Sequence, residues 1–233
     1  MSNLTYFYGI GESVAKKLQE KYNLHGNIIE LKKQLKTPEI FDNLAINTQI
    51  DLTYEPVRLI PWKFADEMHN KINYLHDKYI FKICGSYIRE KPLVGDIDIV
   101  LIGNYKEFIK DFNATHYDNI EFQILDPFMT GETRIMSLIK MTIKKHSYFP
   151  NNTVFYLKLD IFIANHENYM FMILYATGSS EFNQKMRETA KKHGYLLNND
   201  GIYNRKTNEK INIKTEQEVF KLLDMEYLPP IKR

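Results

Sequence analysis

The sequence predicts an α+β fold, with helical segments at both ends of the chain and β-strands between them. Before Tyr79, apolar residues recur at spacings of three and four, the period of an amphipathic helix. From Tyr79 to Ala164, short apolar runs and alternation with a period of two replace that pattern, as expected of strands. Helical patterns return near the C-terminus.

The predicted helices follow turn and capping signals. A turn at Gly9-Ile10-Gly11 precedes a helix with apolar residues four apart, residues 27–35 form a second helix, and residues 37–61 are predicted to be irregular. A long amphipathic helix then spans residues 64–79. Near the C-terminus, residues 181–193 form a helix that ends at Gly194, and residues 215–223 form another, opened by the Thr215–Glu218 capping-box pattern.

The predicted strands lie at residues 79–84, 96–103, 122–125, 135–143 and 154–164. The last alternates most regularly, with Phe155, Leu157, Leu159, Ile161 and Ile163 on one face.

Composition excludes several classes of protein. No segment approaches the roughly 18 unbroken apolar residues of a membrane helix, and the N-terminus lacks the features of a signal peptide. The single cysteine, Cys84, excludes an internal disulfide and a Cys-rich zinc site, and favours a reducing compartment. A net charge of +2 and a pI near 8.3 do not by themselves identify a partner.

Two aspartates in Gly95-Asp96-Ile97-Asp98 carry the strongest chemical signal. Residues i and i+2 of a strand share a face, so Asp96 and Asp98 project together while Ile97 points to the core. Adjacent carboxylates repel each other unless a cation lies between them. Mg²⁺ prefers such oxygen ligands, so the pair is suited to bind it.

A third carboxylate, Asp160, lies in the strand 154–164, on the face opposite its apolar row. Aspartate is unfavourable within a strand. If this strand pairs with that of Asp96 and Asp98, three carboxylates converge as in a two-metal site. An isolated Asp-x-Asp also fits a turn cap or a lysine pair, and that reading stays open for the motif alone.

A phosphate-binding element precedes the aspartates. Gly85 and Ser86 follow a strand, where backbone N–H groups and a hydroxyl can approach a phosphate. Arg89 lies close enough to neutralise a triphosphate. The order Gly-Ser, Arg, Gly-Asp-x-Asp is far more specific than any of its parts.

These motifs resemble those of family X DNA polymerases, such as DNA polymerase beta, which belong to the nucleotidyltransferases. Further segments match the family in its order along nearly the whole chain. They are 5–11 (a helix-hairpin-helix turn), 131–133 (a palm hairpin), 175–187 (a nucleotide-binding segment) and 227–230 (the chain's ending). The resemblance implies a palm with a mixed sheet, a helix-hairpin-helix N-terminal subdomain and a small α+β C-terminal subdomain. The expected bounds are 1–61 for DNA binding, 62–166 for the palm and 167–233 for nucleotide binding.

The resemblance implies the following site residues. Two Mg²⁺ ions, with Mn²⁺ as a substitute, are bound by Asp96, Asp98 and Asp160. A dNTP is bound by Gly85, Ser86, Arg89, Gly95, Tyr175, Gly178 and Asn183. DNA is contacted by Gly9, Gly11 and Arg187. A monovalent cation, Na⁺ or K⁺, is held by the backbone carbonyls of Thr5, Phe7 and Ile10.

Four positions depart from the family pattern. Ala176 replaces an aromatic residue, which affects discrimination against ribonucleotides, and Ser180 replaces an aspartate that lies over the incoming base. Leu59 stands where an arginine is usual, and Phe162 replaces a basic residue that acts on the aspartates. The amino-terminal lyase domain of larger relatives has no counterpart, so we expect no 5′-deoxyribose-phosphate lyase activity. In this the chain resembles the polymerases of large DNA viruses.

The function expected from these features is gap-filling DNA synthesis in base excision repair. The expected substrate is gapped or nicked duplex DNA. We expect the protein to act as an intracellular monomer that does not bind a membrane. Two alternatives stay open. One is template-independent nucleotide addition to a DNA end or a small molecule, and the other is an inactive module that binds DNA ends.

Overall fold

The computed structural model describes residues 2–145 and 149–233, and these form two compact units. The first unit ends at Pro56, and the second is Val57–Arg233. No helix in the described ranges is long and apolar enough to cross a membrane. The subdomain bounds expected from the sequence, 1–61, 62–166 and 167–233, stay predictions.

The first unit is helical. Its helices are α1 (Glu12–Tyr22), α2 (Ile28–Leu35), α3 (Pro38–Phe41) and α4 (Ile46–Tyr54), and a 3₁₀ turn (Asn3–Tyr6) precedes them. Asn27 begins α2 with a capping box, in which its side chain accepts from the Glu30 N–H and the Glu30 carboxylate accepts from the Asn27 N–H. The apolar sides of these elements share one core that includes Leu4, Leu31, Leu35 and Leu52.

The expectation that residues 37–61 are irregular was wrong, because α3 and α4 both lie there. Pro38 stands in the first turn of α3, a position at which its missing N–H costs nothing. The inward side of α4 includes the polar Thr48, 1% exposed, beside Leu52. A polar residue at a core position hides the apolar period by which a helix is recognised.

The second unit is built on a mixed sheet with the strand order β2-β4-β8-β7-β5, and β6 pairs with the end of β7. Its strands are β2 (Ile80–Ile83), β4 (Asp96–Ile102), β5 (Ile120–Ile124), β6 (Met129–Thr130), β7 (Arg134–Ile143) and β8 (Thr153–Ile163). Two short strands, β1 (Ile60–Pro61) and β3 (Leu93–Val94), pair separately. The strands predicted at 79–84, 96–103, 122–125, 135–143 and 154–164 all appear, with ends shifted by one or two residues.

Helices cover both faces of this sheet. On one face, α5 (Trp62–Ile72) and α7 (Tyr105–Asn113) contribute to a core that includes Ile97, Ile99 and Ile161. On the other, α8 (Tyr169–Thr177) packs against Val100 and Phe162. The short helix α6 (Gly85–Ile88) follows β2. The predicted helix 64–79 is shorter than expected: α5 ends at Ile72 and a 3₁₀ turn (Asn73–Asp77) continues it, since asparagine and aspartate favour helix interiors little.

The C-terminal part combines α8 with α9 (Ser180–Lys192), the hairpin β9 (Tyr195–Asn198) and β10 (Gly201–Asn204), and α10 (Glu216–Leu222). Gly194 follows α9 with φ +79, the left-handed conformation expected after a helix. The Thr215–Glu218 capping box opens α10 as predicted. Helices α7 and α8 and the β9–β10 hairpin were not predicted from the sequence.

Candidate active site

The candidate site is centred on β4 and β8, which are parallel neighbours in the middle of the sheet. Their register places Asp98 directly opposite Asp160, with Asp96 two residues away on the same face. One carboxylate oxygen from each of the three aspartates lies within 4.8 Å of those of the other two. The convergence predicted from the sequence is therefore present.

Burial and mutual repulsion shape the electrostatics of these carboxylates. Burial, together with the charges of Asp96 and Asp160, raises the pKa of Asp98 to about 8. Burial also raises the pKa of Asp96, and the charge of Asp160 acts in the same direction. Asp160 forms a bidentate ion pair, in which Arg134 donates from Nε to Oδ1 at 3.0 Å and from Nη2 to Oδ2 at 2.6 Å. Bound cations would therefore stabilise the ionised forms of Asp96 and Asp98.

Gly85 allows the phosphate-binding element to approach the aspartates. Its φ is +62, and a Cβ at this position would lie 2.1 Å from Oδ2 of Asp98. Only glycine fits both constraints. The next residue, Ser86, has its Oγ buried without a hydrogen-bond partner among the described residues. A buried hydroxyl in this state is suited to a ligand atom.

Arg89 joins this element to the C-terminal part. Its Nη1 donates to the backbone carbonyl of Thr177, while its Nε is buried without a partner in the described part of the chain. Gly178 lies against the guanidinium: a Cβ there would be 2.9 Å from Nη1. The arginine therefore keeps one donor, Nε, without a partner among the described residues while its tip is anchored.

The helices α8 and α9 supply the opposite wall. The Asn183 Nδ2 donates to the Tyr175 carbonyl at 2.8 Å, and Arg187 stacks over the Tyr175 ring at 5.4 Å. Tyr175 in turn meets Phe162 edge-to-face, with ring centroids 5.8 Å apart. These contacts fix the orientation of the tyrosine ring.

The three elements enclose one cleft of about 720 Å³. Most residues predicted for catalysis and nucleotide binding line it together with Arg187, namely Gly85, Ser86, Arg89, Asp96, Asp98, Asp160, Tyr175, Gly178 and Asn183. Gly95 is not among the lining residues; it lies against the Arg58 carbonyl at the start of β4. Its predicted contact with a nucleotide stays a prediction.

The N-terminal hairpin is described within the first unit. Gly9 has φ +83, and a Cβ there would lie 2.7 Å from the Thr48 Oγ1, so the turn needs glycine. Of the carbonyls predicted to hold a monovalent cation, that of Phe7 accepts the Ile10 N–H at 3.1 Å. The cation site at Thr5, Phe7 and Ile10 and the DNA contacts of Gly9 and Gly11 stay predictions.

Comparison with known proteins agrees with this geometry. The DNA polymerase beta thumb family matches residues 172–233. A crystal structure of Leishmania infantum polymerase beta, in a ternary P/T complex, matches with a TM-score of 0.74 at 21% sequence identity. The alignment covers 99% of this chain and 96% of that one.

The chain has the polymerase beta fold. The α+β class and the resemblance to family X polymerases, predicted from the motifs, are thereby confirmed. The matched thumb supplies every C-terminal residue of the cleft wall from Tyr175 onward. A hairpin is present at the residues 131–133 that resemble the family's palm hairpin, since the Gly131 N–H donates to the Arg134 carbonyl between β6 and β7.

Several cleft residues of the polymerase beta fold were missed by sequence reasoning. They are Arg134 on β7 and Ser179, Gln184, Glu188 and Lys191 in the thumb. Lys191 is four residues beyond Arg187 on α9, so helical spacing could have placed both on one face. Arg134 offered a weaker signal, because its place depends on the register between β7 and β8.

Proposed function

We propose that this chain is a DNA-directed DNA polymerase that fills short gaps during repair by transferring a nucleotide from a dNTP to a primer 3′-hydroxyl. The observation that carries the proposal is the convergence of Asp96, Asp98 and Asp160 beside a cleft whose Ser86 and Arg89 donors lack partners within residues 2–145 and 149–233. The matched structure is of a polymerase beta in a ternary P/T complex, which supports the same class of activity here.

Divalent metal ions fit the three carboxylates. The donors are all oxygens, they approach within 4.8 Å, and the raised pKa of Asp98 indicates missing positive charge. Asp96, Asp98 and Asp160 would hold two Mg²⁺, or Mn²⁺ in their place. When bound, such ions neutralise charge on the triphosphate and on the attacking and leaving oxygens.

The residues around the aspartates would position the nucleotide. The Ser86 hydroxyl and the Arg89 Nε have no hydrogen-bond partner among the residues that the structure describes, and both would donate to triphosphate oxygens. The Tyr175 ring, fixed by Phe162 and Arg187, would contact the sugar and base, and Asn183 would bind beside it. Holding the reacting atoms in line is the larger part of catalysis in phosphoryl transfer.

We infer that the nucleic-acid substrate is gapped or nicked duplex DNA. Arg187 and Lys191 add positive charge to the thumb side of the cleft. The glycine turn at Gly9 and Gly11 is suited to close approach by a DNA backbone, with Na⁺ or K⁺ at the carbonyls of Thr5, Phe7 and Ile10. Action as a monomer belongs to the same proposal.

The test is extension of a labelled primer at a one-nucleotide gap, with Mg²⁺, each dNTP offered separately, and an unpaired single strand alongside. We expect incorporation of mainly the complementary nucleotide, and its loss in Asp98→Asn and Asp160→Asn. Asp126→Asn is the matched control, because Asp126 is an exposed aspartate of the same unit outside the cleft.

Other outcomes contradict the proposal in different ways. Addition to both substrates without regard to the template would indicate a terminal transferase. Absence of addition, with DNA still bound, would indicate an inactive end-binding module. Near-normal rates in both aspartate variants would show that the metal site is wrong.

A further inference from the structure

Arg134 is paired with Asp160, one of the carboxylates that would bind the proposed metal ions. Both oxygens of Asp160 accept hydrogen bonds from its guanidinium, at 3.0 and 2.6 Å. The Asp160 side chain is only 11% exposed, whereas the Arg134 side chain is 45% exposed. The arginine therefore reaches the aspartate from the open side of the cleft, where it has room to withdraw.

A second contact supports the guanidinium independently of the aspartate. Arg134 lies directly opposite Phe162 in the β7–β8 pairing, and its guanidinium carbon stacks 5.5 Å from the centroid of that ring. Phe162 is itself buried and held edge-to-face by Tyr175. Release from Asp160 thus leaves the arginine with an aromatic surface and open solvent.

The Arg134 guanidinium and a divalent cation cannot both lie against the Asp160 carboxylate, because both are positively charged. A guanidinium paired with both Asp160 oxygens places a positive charge where a divalent cation would bind, and the two repel strongly in a partly buried site. With the cation absent, the same guanidinium neutralises Asp160 through both of its carboxylate oxygens.

We propose that Arg134 is a positioning residue that serves as an internal counter-ion: it holds Asp160 in the metal-free protein and is displaced from it by the divalent ions. The inference rests on the proposed function, since it needs the aspartates to bind metal. It implies that Arg134 has opposite effects on two measurable quantities. It stabilises the metal-free fold and weakens metal binding.

The experiment measures Mn²⁺ binding by calorimetry in the full chain, without DNA or nucleotide. We expect Arg134→Met to bind Mn²⁺ on the order of tenfold more tightly than the wild type, the scale set by hydrogen bonds to a charged group. The same variant should melt at a lower temperature in EDTA and show a larger rise in melting temperature when Mn²⁺ is added. A purely structural role would weaken both states alike.

Two further variants separate the pair from general charge. Arg187 lines the same cleft and stacks on Tyr175, so Arg187→Met removes one positive charge there, and its Mn²⁺ affinity should stay within about twofold of the wild type. Arg134→Lys keeps the charge but loses the bidentate geometry, and it should fall between the wild type and Arg134→Met. It also serves if Arg134→Met does not fold.

The outcomes distinguish this inference from the function on which it rests. Unchanged or weaker Mn²⁺ binding in Arg134→Met and Arg134→Lys would overturn the counter-ion role. The metal site would still stand if the wild type binds Mn²⁺ and Asp98→Asn does not. If the wild type binds no Mn²⁺ and matches Asp98→Asn, the metal site and the counter-ion role both fail.

Discussion

At the scale of single residues, the site depends on positions where one chemical group alone fits. Gly85 is the strictest of them, because its φ of +62 strains any other residue and its contact with Asp98 leaves no room for a side chain. Gly194 shares the left-handed conformation, with φ +79, but nothing lies within 4 Å of its would-be Cβ. Substituting each glycine therefore distinguishes the effect of backbone strain alone, at Gly194, from that of strain combined with a steric conflict, at Gly85.

Gly85→Ala is expected to abolish most synthesis, by about 100-fold or more, because the new methyl group displaces the Asp98 carboxylate from its position. Gly194→Ala carries only the backbone strain, about 1 kcal/mol, and should keep near-normal rates well below its melting temperature. Single-nucleotide gap filling and thermal melting of both variants provide the measurement. Equal activity of the two would show that the contact between Gly85 and Asp98 is unimportant.

Cys84 is expected to be chemically inert in the folded protein. It is 1% exposed, and burial raises the pKa of its thiol to about 12. Iodoacetamide at pH 8 should therefore leave native protein unlabelled and modify one thiol per chain in urea, since the sequence has a single cysteine. Rapid labelling of native protein, followed by mass spectrometry, would contradict the burial of this thiol.

At the scale of elements, Arg233 connects the C-terminal tail to two helices of the matched thumb. The Arg233 side chain is fully buried, donates from Nη2 to Glu216 Oε2 at 2.5 Å and from Nε to the Leu228 carbonyl at 2.8 Å, and lies over the rings of Phe182 and Phe220. It thus ties the tail to both α9 and α10. Lys232, one residue earlier, is exposed.

Arg233→Ala should destabilise the second unit by about 3 kcal/mol, because it leaves the partly buried Glu216 without this partner and removes the arginine from the rings of Phe182 and Phe220. Lys232→Ala is the matched control and should change the free energy of unfolding by less than about 0.5 kcal/mol. Urea unfolding followed by Trp62 fluorescence reports on this unit. Similar values for the two variants would contradict a stabilising role for the Arg233 contacts.

Helices and strands were predictable from the sequence where their apolar pattern matches the face that packs in the folded structure. Strand β8 alternates regularly, and Asp96 and Asp98 stand two residues apart in β4, so a period of two predicted which faces the three aspartates share once the two strands pair. Helix α4 did not follow, because the buried Thr48 breaks its apolar pattern. Helix α8 was missed because it is apolar nearly all around, which gives no amphipathic period. The role of Arg134 required the β7–β8 register, which no local pattern contains.

At the scale of the whole molecule, three clustered carboxylates lower the stability of the metal-free protein. Burial raises the folded-state pKa of Asp98 to about 8, above an ordinary aspartate value near 3.9. A group with a raised pKa contributes stability at low pH and loses it as the pH rises toward that value. The metal-free protein should therefore weaken between about pH 4 and pH 8.

Asp98→Asn should raise the melting temperature in EDTA at pH 8 by about 2–4 °C, the shift expected for about 1 kcal/mol in a protein of this size. The difference should shrink as the pH falls toward 5, where the wild-type carboxyl is protonated. Added Mn²⁺ should stabilise the wild type more than the variant, and Asp126→Asn should behave as the wild type does. A variant that melts below the wild type in EDTA at pH 8 would contradict this account.

The parallel pairing of β4 with β8 also has a consequence for how the protein folds. Asp98 and Asp160 are 62 positions apart in the chain, and they meet only when two strands that share no hairpin align in register. Non-local pairings of this kind form slowly, because loop-closure entropy is lost before the contacts are gained. Early in folding, the local β7–β8 hairpin can exist while the third carboxylate still lacks its neighbours. Divalent ions should therefore slow unfolding without accelerating folding, and a newly made chain gains its metal affinity in one of its last steps.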